Sequence, residues 1–486
     1  MTGRDGVGPS RGRRDDQPRI PERALSELQL RLTGKVIVPG DVAYDQARAV
    51  WNARIDRRPG AIVRVTSPED AAVGLEIARS HGLRLCVRGG GHSVTGHSVV
   101  DDGLLLDLVG LDELRIDPGR KVAWLGGGLT WGPVDAAIAE HGLAMTGGQI
   151  STTGVGGLTL GGGVGWLMGL HGLTVDHLRS VELVDADGRL RRVSAKDDPE
   201  LFWALRGGGG NFGIVTRFEL DLHQLGPILA GTLIHPIERA ADVIRLFAEV
   251  STWAPDELTI MVLLLGAPDQ PHIPPELRGR SMALLAPCWA GDLDRGEEVL
   301  RPIRAFGPPL VDRVRRMPYP ELQAMFDFGS RPGFRNYWRS PFIRPLDEAA
   351  IQTIAAYGSG IPTAGSQVLL TNMGGAVARA PDEATAFGHR GAAGYLEIIG
   401  KWADGEDGAS AIAWADAFAD AIEPATTGYA YVNFLDEGEP GGLGRAYPPA
   451  TLRRLALAKR RYDPDNVFRS NHNIPPAIGR AGEPRA

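Results

Sequence analysis

A thiol, three successive glycines and two histidines fall within one short stretch: Cys86-Val-Arg88-Gly89-Gly90-Gly91-His92-Ser93-Val-Thr-Gly96-His97-Ser98. Three glycines let backbone N–H groups turn inward as a nest that holds phosphate oxygens without a lysine. His92 follows that nest directly, so its imidazole would stand as a nucleophile beside whatever carries the phosphates. A glycine turn with a buried, hydrogen-bonded histidine is the competing reading of the same residues. His92 and His97 could also imitate a metal pair, but no carboxylate or thiol stands with them at ligand spacing, and no metal is expected.

The elements that must position this loop can be read on either side of it. Residues 61–65 form a strand pattern, Ser67-Pro-Glu-Asp70 is a helix start with Ser67 as N-cap and Asp70 at the acidic position of a capping box, and residues 83–87 lead into the glycines. Upstream, Ala43, Ala47, Val50 and Trp51 give an apolar stripe that predicts a helix over 41–55. Downstream, the pattern predicts strands at 103–108 and 122–125 and a helix at 130–141.

A second glycine block runs from Thr146 to Met168 and includes Thr153, Gly154, Gly156, Gly157, Gly161, Gly162 and Gly165. Its density argues against a regular helix and suits backbones that pass very close to each other or to a flat ligand. Because its glycines alternate with Leu, Val, Ile and Trp, a flexible linker is the poorer reading. Gly172-Leu-Thr-Val-Asp176 then leads into a hairpin, 181–184 with 190–193, across Asp185-Ala-Asp-Gly188. Gly208 to Gly213 fits G-x-G-x-x-G literally, but an alternating run (Ile214, Val215, Phe218, Leu220) follows instead of a helix, which excludes a nicotinamide site there.

Beyond Gly226-Pro227 the glycines thin out. Strand runs (230–234, 258–265, 282–288, 367–373) alternate with helical ones (237–251, 295–306, 347–357, 410–422), which predicts a broad sheet backed by helices. Within it Phe326, Phe328, Phe334, Tyr337, Trp338 and Phe342 form either core or the lining of a pocket for a flat or apolar molecule. Residues 429–434 read as a strand, 451–462 as a basic helix closed by Asp463-Pro-Asp-Asn466, and Asn471 and Asn473 as side chains that bond backbone or ligand.

Composition narrows the partners. The 486 residues are 43% hydrophobic, ample for more than one core. A net charge of −7 and a pI near 5.9 disfavour nucleic acid and anionic membranes. Cys86 and Cys288 offer no disulfide framework, and no apolar run approaches a membrane span. Residues 1–22 read as a disordered tail. In it Arg13-Arg14 is followed by Asp15-Asp16-Gln17-Pro18 where a twin-arginine signal needs an apolar region, so a cytoplasmic location is expected.

Taken in order, these blocks resemble the PCMH-type FAD-linked oxidoreductases, in the branch containing berberine bridge enzyme, 6-hydroxy-D-nicotine oxidase and bacterial polyketide-tailoring flavoproteins. The likeness runs from about Ile37 to Pro476. It rests on the His92 loop, Gly156-Gly-Leu-Thr-Leu-Gly161-Gly-Gly, Gly172 to Asp176, Phe202-Trp-Ala-Leu-Arg-Gly-Gly-Gly-Gly-Asn-Phe-Gly213, and Asp463 to Asn466 with Asn471-His-Asn-Ile. Asp56-Arg-Arg-Pro59 and Gly374-Gly-Ala-Val-Ala-Arg379 resemble the flavoproteins of enterocin-type biosynthesis.

The resemblance implies an α+β, two-domain PCMH-type fold: a split FAD-binding domain made of 23–222 and 425–486, and an α/β substrate domain, 223–424, with a large antiparallel sheet backed by helices. It implies that Arg88 to Ser93 wrap the pyrophosphate, with Gly96, His97 and Asp176 in the same matching set. His92 would bond covalently to the flavin 8α carbon. Thr153 to Gly165 would line the ribityl chain and pyrophosphate, Gly213, Ile214 and Val215 would hold the adenine end, and Asn433 with Asn471 and Asn473 would close over the isoalloxazine. Such an attachment favours the reduced flavin and so extends the range of oxidisable substrates.

Two departures matter. Some members have a second, cysteinyl link; that position is Ile150 here, so one link only is expected. Where relatives place a Tyr or His base, this chain has Phe434, which accepts no proton. Tyr337, Gln367 and Tyr431 are the candidate catalytic residues, with His97 a further one, although Tyr431 in the expected strand would face away from position 434. The expected partners are a small organic substrate and O₂, in a monomer or homodimer. The leading expectation is an oxidase of a bacterial secondary metabolite, with hydride passing to flavin N5 and O₂ reoxidising the flavin. An oxygenase of a polyketide-like substrate and a flavin-binding protein without turnover are the alternatives; a sugar oxidase fits less well, since the aromatic stretch offers few polar groups.

Overall fold

Three large sheets and a two-stranded ribbon, Leu143–Ala144 with His223–Gln224, carry the chain in the computed structural model, which describes residues 20–267, 275–436 and 438–478. The first places Lys35–Ile37, Ala61–Arg64, Leu104–Asp107 and Leu85–Arg88 side by side. Its last three strands are parallel, because the helix Pro68–Ser80 crosses between Ala61–Arg64 and Leu85–Arg88. Ser67 caps that helix, its hydroxyl accepting from Asp70 N at 3.1 Å. The Asp70 carboxylate does not complete a capping box on Ser67; it accepts from the backbone N–H groups of Thr66 (3.0 Å) and Thr33 (2.8 Å), tying the helix start to the neighbouring chain.

The second sheet is antiparallel, in the order Leu114–Asp117, Val122–Gly126, Ile214–Asp221, Leu178–Val184, Leu190–Ser194. It contains the hairpin expected across Asp185 to Gly188. The third has eleven strands, all drawn from residues between Ile228 and Ala430. The helices Ala240–Trp253, Glu348–Ser359 and Ala409–Ile422 cover one face, where Phe247, Ile354 and Phe418 pack on Ile260, Leu370 and Ile398. Residues near the C-terminus (Tyr431, Tyr447, Leu455 and Ile474) share a core with Trp131 and Phe218 of the second-sheet region. The fold is α+β. Among the described residues no helix is long and apolar enough to cross a membrane.

Besides the capping box, four expectations are corrected. The helix predicted over 41–55 shrinks to Tyr44–Arg48, because tertiary bonds capture the rest: Trp51 N donates to Gly91 O at 3.1 Å and Asn52 Nδ2 to Val94 O at 2.7 Å. The second glycine block does hold a helix, Val155–Gly161. The strand expected at 429–434 ends at Ala430, and Val432–Phe434 is a 3₁₀ turn. Of the expected tail, residues 1–19 lie outside the described residues; Ile20 is buried and Glu22 already opens the helix Glu22–Arg31.

Candidate functional site

Between the glycine loops and the uncovered face of the broad sheet lies a cavity of about 1260 Å³. Its first wall is backbone. The strand Leu85–Arg88 delivers Gly89 to Ser93 to the cavity, with Gly91 at φ +72°. A Cβ on Gly90 would lie 2.4 Å from Gly154 N, and one on Gly154 would lie 2.3 Å from Gly90 N. The first two glycine blocks therefore meet main chain to main chain, a contact open only to glycine. Thr153, Gly154, Gly156, Gly157, Gly213, Ile214 and Val215 also line this wall.

His92 projects from it. Its ring stacks on Trp51 (centroids 5.0 Å apart, 19° between planes), and its Nε2 lies 2.8 Å from Thr152 Oγ1. Enclosure by protein pulls its pKa down to about 4, so the imidazole is neutral at pH 7 and keeps a lone pair. Ile150, lining the same cavity, presents no nucleophile. His97 packs edge-on against His472 (4.6 Å), and burial holds both rings neutral.

The tail is stitched to this wall by one amine. Lys459 Nζ donates to Asn211 O (2.7 Å), Asp463 Oδ2 (2.6 Å) and Phe468 O (2.8 Å), while Asn211 Oδ1 accepts from Ile474 N (3.0 Å). Asn471 thereby reaches the cavity beside Gly210, whose carbonyl accepts from its Nδ2 at 3.0 Å. Asn433 lines the cavity too, its Nδ2 donating to Tyr431 Oη at 2.7 Å. Asn433 and Asn471 both line the cavity, and Asn473 does not.

Several predicted cofactor residues support the wall rather than form it. Arg88 is turned back onto Asp107 (2.7 Å) and the carbonyls of Ala47 and Ala49, so its guanidinium does not face the cavity. Asp176 holds the buried Arg390 at 2.9 and 2.7 Å. Gly161 leaves room for Asn433, Gly165 for the Gly147 carbonyl, Gly162 for Phe387 and Gly96 for Ile55.

The second wall is the sheet. Register places Gln367 opposite Ile399, Leu369 opposite Glu397, Trp338 opposite Ile399 and Asn336 opposite Lys401, and all of these line the cavity. Tyr337, between Asn336 and Trp338, points to the helices instead and donates from Oη to Asp416 Oδ1 at 2.8 Å. It is removed from the cavity by strand parity. Of the other aromatics, Phe326, Phe328 and Phe334 line the cavity and Phe342 is core. Tyr431 lines it too, but its hydroxyl accepts from Gly163 N (2.9 Å) and Asn433, and burial pushes its pKa up to about 12. Phe434 tilts against Trp338 at 4.8 Å.

Two titratable groups on this wall were not among the residues singled out from the sequence. Glu397 is 4% exposed, and burial alone raises its pKa to about 8. Lys401, also 4% exposed, donates to Gly329 O, lies 4.5 Å over the Phe334 ring, and has its pKa lowered to about 8 by burial. Both belong to the strand Gly394–Trp402. Among the described residues no group of three or more His, Cys, Asp or Glu is placed to hold a metal.

Comparison with known proteins agrees with this geometry. The FAD binding domain model matches residues 59–194, and the berberine and berberine-like model matches 430–475. The chain is 31% identical to (R)-6-hydroxynicotine oxidase of Paenarthrobacter nicotinovorans over 472 residues, covering 92% of this chain and 98% of that one. It belongs to the PCMH-type, berberine-bridge-like FAD-linked oxidoreductases. The crystal structure of 6-hydroxy-D-nicotine oxidase from Arthrobacter nicotinovorans superposes with a TM-score of 0.82 at 29% identity, over 91% of this chain and 98% of that one. BBE-like 1 of Physcomitrella patens shares the fold, with a TM-score of 0.83 at 21% identity over 94% and 100% of the two chains.

For this FAD-linked oxidoreductase the cavity fits its cofactor. His97 Nε2, Ser98 Oγ, Gln149 Nε2, Trp338 Nε1, Ser470 Oγ and Asn471 Oδ1 are buried without a protein partner, and all six residues line the cavity. Orphaned polar atoms around a space of this size are what a large polar ligand satisfies.

Proposed function

We propose that this flavoenzyme is an oxidase of a small organic substrate, a bacterial secondary metabolite, carrying its flavin through His92 alone. The observation that supports it most is the neutral imidazole of His92, fixed between Trp51 and Thr152 beside the contact of Gly90 with Gly154. Residues 23–222 with 425–486 would hold the FAD and 223–424 would supply the substrate face. Gly89 to Ser93, Thr153 to Gly157 and Gly213 to Val215 would hold the cofactor, with Asn433 and Asn471 also lining its cavity. When bound, the flavin supplies hydride acceptance and subsequent reoxidation by O₂.

The chain's own part is to bind, orient and deprotonate. Phe434, Trp338 and Leu369 enclose the substrate side and exclude water. Glu397 takes the place of the missing base: it faces the cavity, no protein group competes for its carboxylate, and a pKa of about 8 makes its ionised form, the minor one at pH 7 and the major one above 8, a strong proton acceptor. Tyr337 and Tyr431 act structurally. Gln367 offers a neutral hydrogen-bonding amide on the same wall.

The test is oxygen stoichiometry during turnover with a substrate that bleaches the flavin under nitrogen. One H₂O₂ released per O₂ consumed supports the oxidase. Label from ¹⁸O₂ in the organic product would replace it with an oxygenase, and a flavin bleached by no substrate would leave only a binding protein.

A further inference from the structure

The cavity sorts its charges. Among the described residues the charged side chains that line it are Arg313, Arg315, Glu321, Arg331, Glu397 and Lys401, all on the sheet wall or the segment that borders it. Around the glycines, the lining from Leu85 to Phe218 and from Tyr431 to His472 contains no Asp, Glu, Lys or Arg. The charges on the sheet side do not cancel. Glu321 is bonded to Arg315, and the buried Glu397 favours its neutral acid form. Arg313 aside, Lys401 and Arg331 remain, and among the described residues neither makes an ion pair; Arg331 lies 4.2 Å over Phe328.

Lys401 is the one that calls for an explanation. Its ammonium has three donors, and the single protein acceptor it reaches is the carbonyl of Gly329. A buried ammonium facing only a carbonyl and a ring is costly unless an anion completes its shell. Asn336, opposite Lys401 in register, and Gln367 on the adjacent strand add neutral amides at the same end of the wall. Met261, Leu263, Leu265, Met325 and Phe326 add apolar surface on this side.

The geometry points to an anion subsite at Lys401, with Arg331 at its edge, so that the substrate is an apolar or aromatic molecule bearing a carboxylate. Glu397 and Lys401 are four residues apart on one strand face, a backbone separation of roughly 13 Å, which leaves room for an aromatic body between the anion and the proton acceptor. This inference rests on the reading above that the glycine wall holds the flavin and the sheet wall the substrate.

The experiment uses the holoprotein and two probes of equal shape, 3-phenylpropanoate and 3-phenylpropanamide, titrated calorimetrically and by the flavin difference spectrum at pH 7. The wild type binds the carboxylate at least about tenfold more tightly, the usual worth of a hydrogen bond to a charged group. Lys401→Met loses that discrimination, and Lys401→Arg, which keeps a cation and a donor for Gly329, retains most of it. Equal binding of the two probes by the wild type, binding of neither, or undiminished discrimination in Lys401→Met overturns the subsite. Visible flavin in the same samples checks the underlying reading separately: a yellow protein without discrimination loses only the subsite, whereas a colourless one loses the flavin wall.

Discussion

The two walls of the cavity are built on opposite principles. The glycine wall works through close backbone approach: Gly90 and Gly154 touch through their backbones, and no charged residue lines it. The sheet wall works through side chains alone, since strand pairing consumes its backbone groups and parity decides which residues reach the cavity. One wall can therefore serve a cofactor common to a family, while the other can change substrate by exchanging residues without disturbing the fold. The difference teaches where substitutions should be severe and where they should be selective.

The comparison is broken most completely at the backbone contact. Gly154→Ala puts a methyl 2.3 Å from Gly90 N, so flavin incorporation should be abolished, measured as the ratio of flavin to protein absorbance. An ordinary flavin content in that variant would mean that the two loops need not touch. On the other wall, Glu397→Gln should leave flavin content unchanged and lower kcat/KM by about 10²-fold or more. For the wild type, proton acceptance needs the ionised carboxylate, so kcat/KM should rise as pH increases through about 8 and level off above it. The variant should lack that rise.

Two smaller effects test the structural role of both candidate tyrosines. Tyr431→Phe removes the acceptor of Gly163 N, leaving that buried donor unsatisfied while Asn433 Nδ2 keeps the carbonyls of Gly157 and Leu158, and should cost about 1–3 kcal/mol in denaturant unfolding. Tyr337→Phe loses one bond to Asp416, which Arg339 still pairs at 2.8 Å, and should cost about 1 kcal/mol with kcat unchanged. A large fall in kcat for Tyr337→Phe would place it back in the cavity.

The two walls also differed in how much of them could be read from the sequence. Close backbone approach demands glycine whatever surrounds it, so the blocks at 89–91 and 154–157 announced the first wall. Arg88 misled, because its partner Asp107 lies one strand away in parallel register and is invisible to local pattern. The second wall was harder. The strand Gly394–Trp402 was not anticipated, yet Glu397 and Lys401 stand within an otherwise apolar run, Gly-Tyr-Leu-Glu-Ile-Ile-Gly-Lys-Trp, and charges inside a buried strand are the signal that could have found them. Tyr337 was chosen for its chemistry, but parity turned it outward while Asn336 and Trp338 faced in. Composition located the aromatic stretch; only register could say which side of it counts.

The central claim is that His92 alone carries the flavin. Acid-denatured wild-type protein, run on a denaturing gel, should keep yellow fluorescence with the chain, and His92→Ala should release all of it to the supernatant. Flavin lost from the wild type, or retained by His92→Ala, would contradict the account at its base.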